Sequence, residues 1–223
     1  PRRLIDSRKR AGSSVSPGRG GKSTRSFFPS NRWSAPSVTE SALSRLASAD
    51  WFAREVLLLA GRTLRRLDVT ARTLFALVEP GSCFAGCLLE TSLACDRTYA
   101  LDDPGRPVTL RLSPLNFGAL PMGHGLTRLQ TRFLHRREAL QGLQKRVEAG
   151  EPPRFDARAA VEAGLLTIAA DEIDYEDEVR VAIEERTSLS PDALTGMEAS
   201  LRFPGSESME TKIFGRLSAW QNW

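Results

Sequence analysis

The stretch from Leu74 to Leu101 constrains this chain more than any other, because it sets elements of alternating character in close succession. The apolar run Leu74 to Val78 has the length of a buried strand, and Pro80-Gly81 is turn chemistry that stops it. A helix is expected to start near Phe84 and run to Cys95, followed by a second strand from Arg97 to Leu101. Gly86 would lie in the first turn of that helix, where backbone N–H groups lack intrahelical partners and the dipole favours negative charge. Glu90 follows four residues later on the same face. The pattern therefore sets a carboxyl group beside a helix end able to hold an oxyanion.

The rest of the chain extends this order. Apolar positions between Thr39 and Leu67 approximate a helical period broken by Gly61, which predicts one long helix or two. A turn at Asp103-Pro104-Gly105-Arg106 precedes a strand near Val108 to Leu112, and Gly125 to Glu148 reads as mostly helical with one charged face. After Pro152-Pro153, Asp156 is a fitting N-cap for a short helix ending at Gly164, with a strand over Leu165 to Ala169. Three helices are expected to close the chain, Ile173 to Arg186, Ser190 to Leu201 and Ser206 to Trp223, the second with Pro191 at its first position. The fold class is α/β, with ββα-like order and crossover helices. Residues 37–170 form the core and 171–223 a C-terminal helical region.

Charge separates the N-terminal segment from this body. Of the 31 Lys and Arg and 27 Asp and Glu, residues 1–33 carry nine basic and one acidic. The remainder is net acidic. The segment is rich in Arg, Ser, Gly and Pro with no apolar period, so residues 1–36 are expected to be a disordered basic tail. Ser16 to Thr24 imitates a phosphate loop but has Ser16 where the motif needs glycine, and shows no flanking strand or helix. A nucleic-acid-binding arm is an alternative, with aromatics only at Phe27, Phe28 and Trp33. A mistranslated or mis-joined reading frame is preferred over both. A start at Pro1 and an end at Trp223 suggest a fragment. The three cysteines, Cys83, Cys87 and Cys95, sit in one motif, which points to buried thiols in a reducing, cytoplasmic setting rather than a disulfide framework or a metal site. No apolar segment approaches the ~18 residues of a membrane span, so no membrane partner is expected.

The residues Gly86, Glu90, Leu93, Ala94, Cys95, Asp96 and Tyr99 resemble the crotonase (enoyl-CoA hydratase/isomerase) superfamily, and Gly118, Pro121, Gly125, Arg128 and Leu129 continue that register. Glu79 to Gly86, Asn116 to Met122, Ile183 to Arg186, Leu189 to Ala199 and Met209 to Trp223 resemble one branch of it, concerned with aromatic acyl-CoA thioesters in aerobic benzoate degradation. The resemblance covers roughly Ser37 to Trp223. It implies a partial ββα spiral core and an acyl-CoA lyase or hydrolase that opens the ring of an epoxidised benzoyl-CoA hydrolytically and releases formate. It also implies an oligomer, an acyl-CoA thioester as the bound partner, no cofactor and no metal.

On this resemblance Glu90 is a candidate catalytic residue and Gly86 and Cys87 candidate oxyanion donors; Asn116, able to hydrogen-bond a substrate carbonyl or water, is the second catalytic candidate, and Glu79, at a strand end where ligand sites often cluster, a candidate substrate-binding residue. Against each stands a structural alternative: a solvated helix face for Glu90, turn formation for Asn116, and capping of the Pro80-Gly81 turn for Glu79. Two departures weigh on the reading. Gly86-Cys87-Leu88 replaces a run of three glycines, and Pro114 occupies the position of the family's second carboxylate. A non-catalytic module that shapes or oligomerises a larger enzyme is the second reading. His124 is expected to be structural or exposed, His135 to lie on a solvated helix face, and Asp171 to Glu178 to be helix N-terminal charge rather than a cation site.

Overall fold

The computed structural model describes residues 42–221 except 44, 152 and 206, and leaves the side chains of 216–221 aside. The basic tail of residues 1–36 lies outside the described residues.

Helix α1 (Trp51–Asp68) opens the described body after a break over residues 47–50. Asp50 caps it by accepting from the Ala53 N–H at 2.8 Å. Gly61 does not interrupt it as expected: the helix runs through, with Gly61 buried and close enough to Leu120 that a Cβ would stand 3.9 Å from that side chain. Both that distance and the 3.7 Å to Arg65 are ordinary van der Waals contact, so the site has room for a methyl group.

Two ββα turns follow. Strand β1 (Phe75–Val78) leads through the Glu79–Ser82 turn to β2 (Phe84–Ala85) and α2 (Cys87–Leu93), and β3 (Arg97–Leu101) leads to β4 (Leu110–Arg111). A 3-10 turn (Pro114–Phe117), α3 (Arg128–Arg132) and α4 (Arg137–Glu148) connect to β5 (Arg154–Phe155), α5 (Ala157–Glu162) and β6 (Ile168–Ala170). Helices α6 (Glu172–Thr187), α7 (Pro191–Arg202) and α8 (Met209–Gln221) complete the order. Among the described residues the strands form two sheets, β1-β3-β6, all parallel, and β2-β4-β5, with β4 parallel to β2 and antiparallel to β5.

Strand β3 is central in its sheet and buried on both faces, which explains why its sequence lacks polar alternation. Ala100 faces a core shared with Val78, Leu89, Leu93, Leu110, Leu129 and Phe133. Tyr99 and Leu101 face Tyr175 and Ala182 of α6. Thr98 and Thr167 extend the β3–β6 pairing by exchanging backbone and hydroxyl bonds of 3.1 and 2.9 Å.

Several boundaries differ from expectation. Phe84 begins a two-residue strand rather than a helix, because it pairs with Leu110 across the second sheet. The helix expected over Gly125 to Glu148 is two helices, since residues 133–136 turn, and His135 lies in that exposed turn rather than on a helix face. The strand of Leu165 to Ala169 begins only at Ile168, because Leu165 and Leu166 N–H groups bond back to Ala160 and close α5. Asp156 and Ser190 do cap α5 and α7, Asp171 caps α6, and Gly164 leaves α5 at φ 78°.

Candidate functional site

The start of α2 is made by Gly86, whose φ of 54° and ψ of −122° L-residues with a Cβ rarely adopt. That geometry lets the chain leave β2 and enter the helix within one residue. Gly86 is therefore the residue before the first turn rather than within it, and its N–H donates to the Arg111 carbonyl of β4 at 3.2 Å. Cys87 is the first helical residue, so the helix dipole is presented from Cys87 onward.

One turn further, Glu90 is buried at 1% exposure inside a polar network. Its Oε1 accepts from Asn116 Nδ2 at 2.7 Å and its Oε2 from Arg128 Nη1 at 2.9 Å. Asn116 spends its second amide hydrogen on the Gly86 carbonyl at 2.9 Å. Its Oδ1 accepts from the Ser113 N–H at 2.8 Å, which sets the orientation of the amide. Arg128 in turn donates Nε and Nη2 to Asp68 at 3.1 and 2.7 Å, a bidentate pair, and Nη1 also to the Leu120 carbonyl at 3.3 Å. Asp68, Glu90 and Arg128 side chains are each at most 2% exposed.

One guanidinium between two buried carboxylates leaves a net negative charge. Burial pushes the Glu90 carboxyl above its ordinary value; the Asn116 and Arg128 hydrogen bonds and the Arg128 charge pull it back only in part, and Asp68 adds to the rise. A carboxyl so placed holds its proton further toward neutrality than a solvated one and is suited to acid–base exchange.

The structure thus brings Glu90, Asn116 and Gly86 into direct contact and sets Cys87 beside them. Glu79 stands apart. It is exposed at the end of β1, and its Oε1 accepts from the Tyr175 hydroxyl at 3.3 Å. The β1–β2 turn is closed by Ser82 instead, whose Oγ accepts the Glu79 N–H at 3.0 Å. Pro114 opens the 3-10 turn, so no carboxylate enters the site from that position.

Two further residues of the network, Asp68 and Arg128, had no role in the sequence reading beyond the place of Arg128 in a motif. The one available signal was a basic residue inside a segment of otherwise apolar and glycine-rich character. A second buried cluster was also missed. Arg202 of α7 holds Asp96 with two bonds, Nε–Oδ1 2.7 Å and Nη2–Oδ2 2.6 Å, and Asp96 also accepts the Leu74 N–H at 2.7 Å. Burial works against the Asp96 charge, but the Arg202, Glu198 and Leu74 hydrogen bonds outweigh it and hold this carboxyl below its ordinary value. Glu198, beside it, is raised by burial and by Asp96.

His124 is exposed and stacks edge-on against Phe203 with ring centroids 5.5 Å apart. The three cysteines form no disulfide and are half-buried rather than buried as expected, and burial pushes Cys95 up to about 11. Among the described residues no cluster of three or more His, Cys, Asp or Glu is placed to hold a metal. No described helix is long and apolar enough to cross a membrane.

This architecture is that of the enoyl-CoA hydratase/isomerase, or crotonase, fold. An enoyl-CoA hydratase/isomerase from Cupriavidus metallidurans superposes with a TM-score of 0.56 at 20% identity, covering 82% of this chain and 64% of that one. A protein from Thermobifida fusca described as an enoyl-CoA hydratase, solved with acetoacetyl-CoA, gives 0.53 at 15% identity over 80% and 64%. In sequence the chain is similar to the benzoyl-CoA-dihydrodiol lyase of Aromatoleum evansii, 51% identical over 174 residues. That match takes in 78% of this chain but spans only 31% of the relative's length. No protein-family model matches.

Proposed function

We propose that the chain supplies an acyl-CoA-handling segment of a lyase of the benzoyl-CoA-dihydrodiol lyase type, which opens the ring of 2,3-epoxybenzoyl-CoA hydrolytically and releases formate. The observation that carries this reading is the 51% identity over 174 residues to that enzyme. The geometry around α2 supports it. In this reading the thioester oxygen lies at the start of α2, where Gly86 has no Cβ to obstruct it and the dipole from Cys87 onward opposes enolate charge as it develops. Glu90 exchanges the proton, and Asn116 fixes its carboxyl and the Gly86 carbonyl in one frame. Glu79 lines the approach from the end of β1.

The test is formate release from 2,3-epoxybenzoyl-CoA by a polypeptide spanning the relative's full length, with and without Glu90→Gln. The expected outcome is a loss of turnover of about 10² or more with the fold retained. Unchanged turnover of folded protein would remove Glu90 from the chemistry.

One observation favours the alternative of a non-catalytic module. Both Glu90 oxygens are engaged, the residue is 1% exposed, and no second carboxylate joins it. Under that reading benzoyl-CoA binding by the full-length protein survives Gly86→Val.

A further inference from the structure

Away from Glu90, a cavity of about 270 Å³ opens where the C-terminal ends of α1, α2 and α6 meet α3 and the last turn of α7. Four arginines line it, Arg128, Arg132, Arg186 and Arg202, together with three acids, Asp68, Asp96 and Glu198. None of the candidate residues Glu79, Gly86, Cys87, Glu90 or Asn116 takes part.

Among the residues that line it, the arginines outnumber the acids by one. Arg128 is matched by Asp68 and Glu90, and Arg202 by Asp96. Arg186 reaches Glu198 Oε1 at 3.1 Å, an oxygen that also accepts from Thr73 at 2.8 Å. Glu198 Oε2 is buried with no donor directed at it. Burial and the neighbouring Asp96 charge raise the Glu198 carboxyl above its ordinary value. Arg132 pairs with no carboxylate among the described residues. Its Nη1 donates to the Leu165 and Gly164 carbonyls at 2.8 and 3.4 Å, and burial lowers its basicity. A half-buried cation held only by carbonyl dipoles keeps charge that a bound anion would offset.

The opposite wall is apolar, formed by Leu93, Met122, Leu201 and Pro204. A cavity of 270 Å³ equals the liquid volume of about nine waters, enough for a carboxylate with a short hydrocarbon tail. We propose that this cavity binds a small organic carboxylate, its oxygens on Arg132 and Arg186 and its tail against Met122 and Leu201. An arginine fork suits the two oxygens of a planar carboxylate, and the apolar wall discriminates against phosphate, which has no tail to bury.

The proposal is independent of the function assigned to Glu90. It is tested on the full 223-residue chain by calorimetric titration with butyrate, with phosphate and chloride at matched ionic strength as the other arms. Saturable butyrate binding is expected, at least tenfold tighter than either inorganic anion. Arg132→Gln should weaken it at least tenfold. Because that change also removes the bonds to Gly164 and Leu165, Leu201→Trp serves as the second variant. Leu201 is 62% exposed at the cavity wall, so an indole there obstructs the opening without removing any charge. Loss of butyrate binding in folded Leu201→Trp supports the site. Binding that persists in Leu201→Trp, equal binding of phosphate or chloride, or no saturable butyrate binding overturns it.

Discussion

Replacing Arg128 by Met tests the physical account of the buried network most directly. The substitution keeps the approximate length and apolar character of the stem but removes the cation between Asp68 and Glu90, which are 2% and 1% exposed. Truncating one partner of a buried pair costs about 3–5 kcal/mol, because the remaining charge is left uncompensated. Here two charges are left, and each can be relieved by taking up a proton. A carboxyl group that must be protonated in the folded state loses about 1.36 kcal/mol of stability for every pH unit above its solution value. Between pH 5 and pH 7 that amounts to about 2.7 kcal/mol for one carboxylate and about 5.4 kcal/mol for two. The folded-state value of Glu90 is already raised in the parent protein, so the parent itself loses some stability as pH rises through that window. The variant's excess should therefore lie between those two figures. Against a total stability of about 5–15 kcal/mol, Arg128→Met is expected to fold at pH 5 and to lose a large share of its remaining stability by pH 7. Urea denaturation followed by circular dichroism at pH 5, 6 and 7 measures this. Adding Asp68→Asn and Glu90→Gln to Arg128→Met should flatten the pH dependence. An Arg128→Met penalty that is the same at pH 5 and pH 7 would refute the reasoning, since it would mean that the two carboxylates are solvated or otherwise neutralised.

Gly86→Val forces a β-branched residue to a φ of 54°, at about 1–3 kcal/mol of strain, so turnover must be read per folded molecule; a loss of about 10² to 10³ is expected if an oxyanion donor is displaced. Leu93→Ala, a core truncation, should cost about 2–5 kcal/mol in denaturation with turnover per folded molecule unchanged. The 223-residue chain is expected to show no hydration of crotonyl-CoA in an absorbance assay, because water addition in the family uses two carboxylates and Pro114 stands in place of the second. Arg202→Ala should cost about 3–5 kcal/mol at neutral pH by stranding Asp96. Asp96 is held below its ordinary value, so its stabilisation is present above that value and fades as pH falls through the depressed one; the penalty of Arg202→Ala should shrink along the same interval in denaturation curves taken at successive pH.

The parts legible in the sequence are those governed by local chemistry. Strand Arg97 to Leu101 appears with the expected ends, and Asp156 acts as the expected cap because a short polar side chain before a helical run has one obvious task. The two-residue strands β2 and β5 could not be read, since each exists only through its pairing with β4. The break in the first helix was assigned to Gly61 on propensity, and tertiary packing against Leu120 overrides that preference. At the site, Glu90 and Gly86 lie four residues apart and were visible together. The cation that holds Glu90 comes from 38 residues away and its own partner from a further 60, a separation that no spacing rule reaches.

That long-range construction bears on what Glu90 can do. Asn116 Nδ2 has two hydrogens, and both are committed, one to the Gly86 carbonyl and one to Glu90 Oε1. Oε2 meanwhile accepts from a guanidinium, which cannot give up its proton or turn to accept one. A proton arriving on Glu90 takes a lone pair that neither donor occupies and weakens the acceptor that Asn116 uses, while Ser113, which fixes the amide through Oδ1, resists rotation of that group. Protonation of Glu90 and the hydrogen bond to the Gly86 carbonyl are coupled through one amide. Gly86, which sets the backbone at the start of α2, and Glu90 are consequently parts of one hydrogen-bonded unit, so a change in charge at Glu90 is transmitted to the start of that helix.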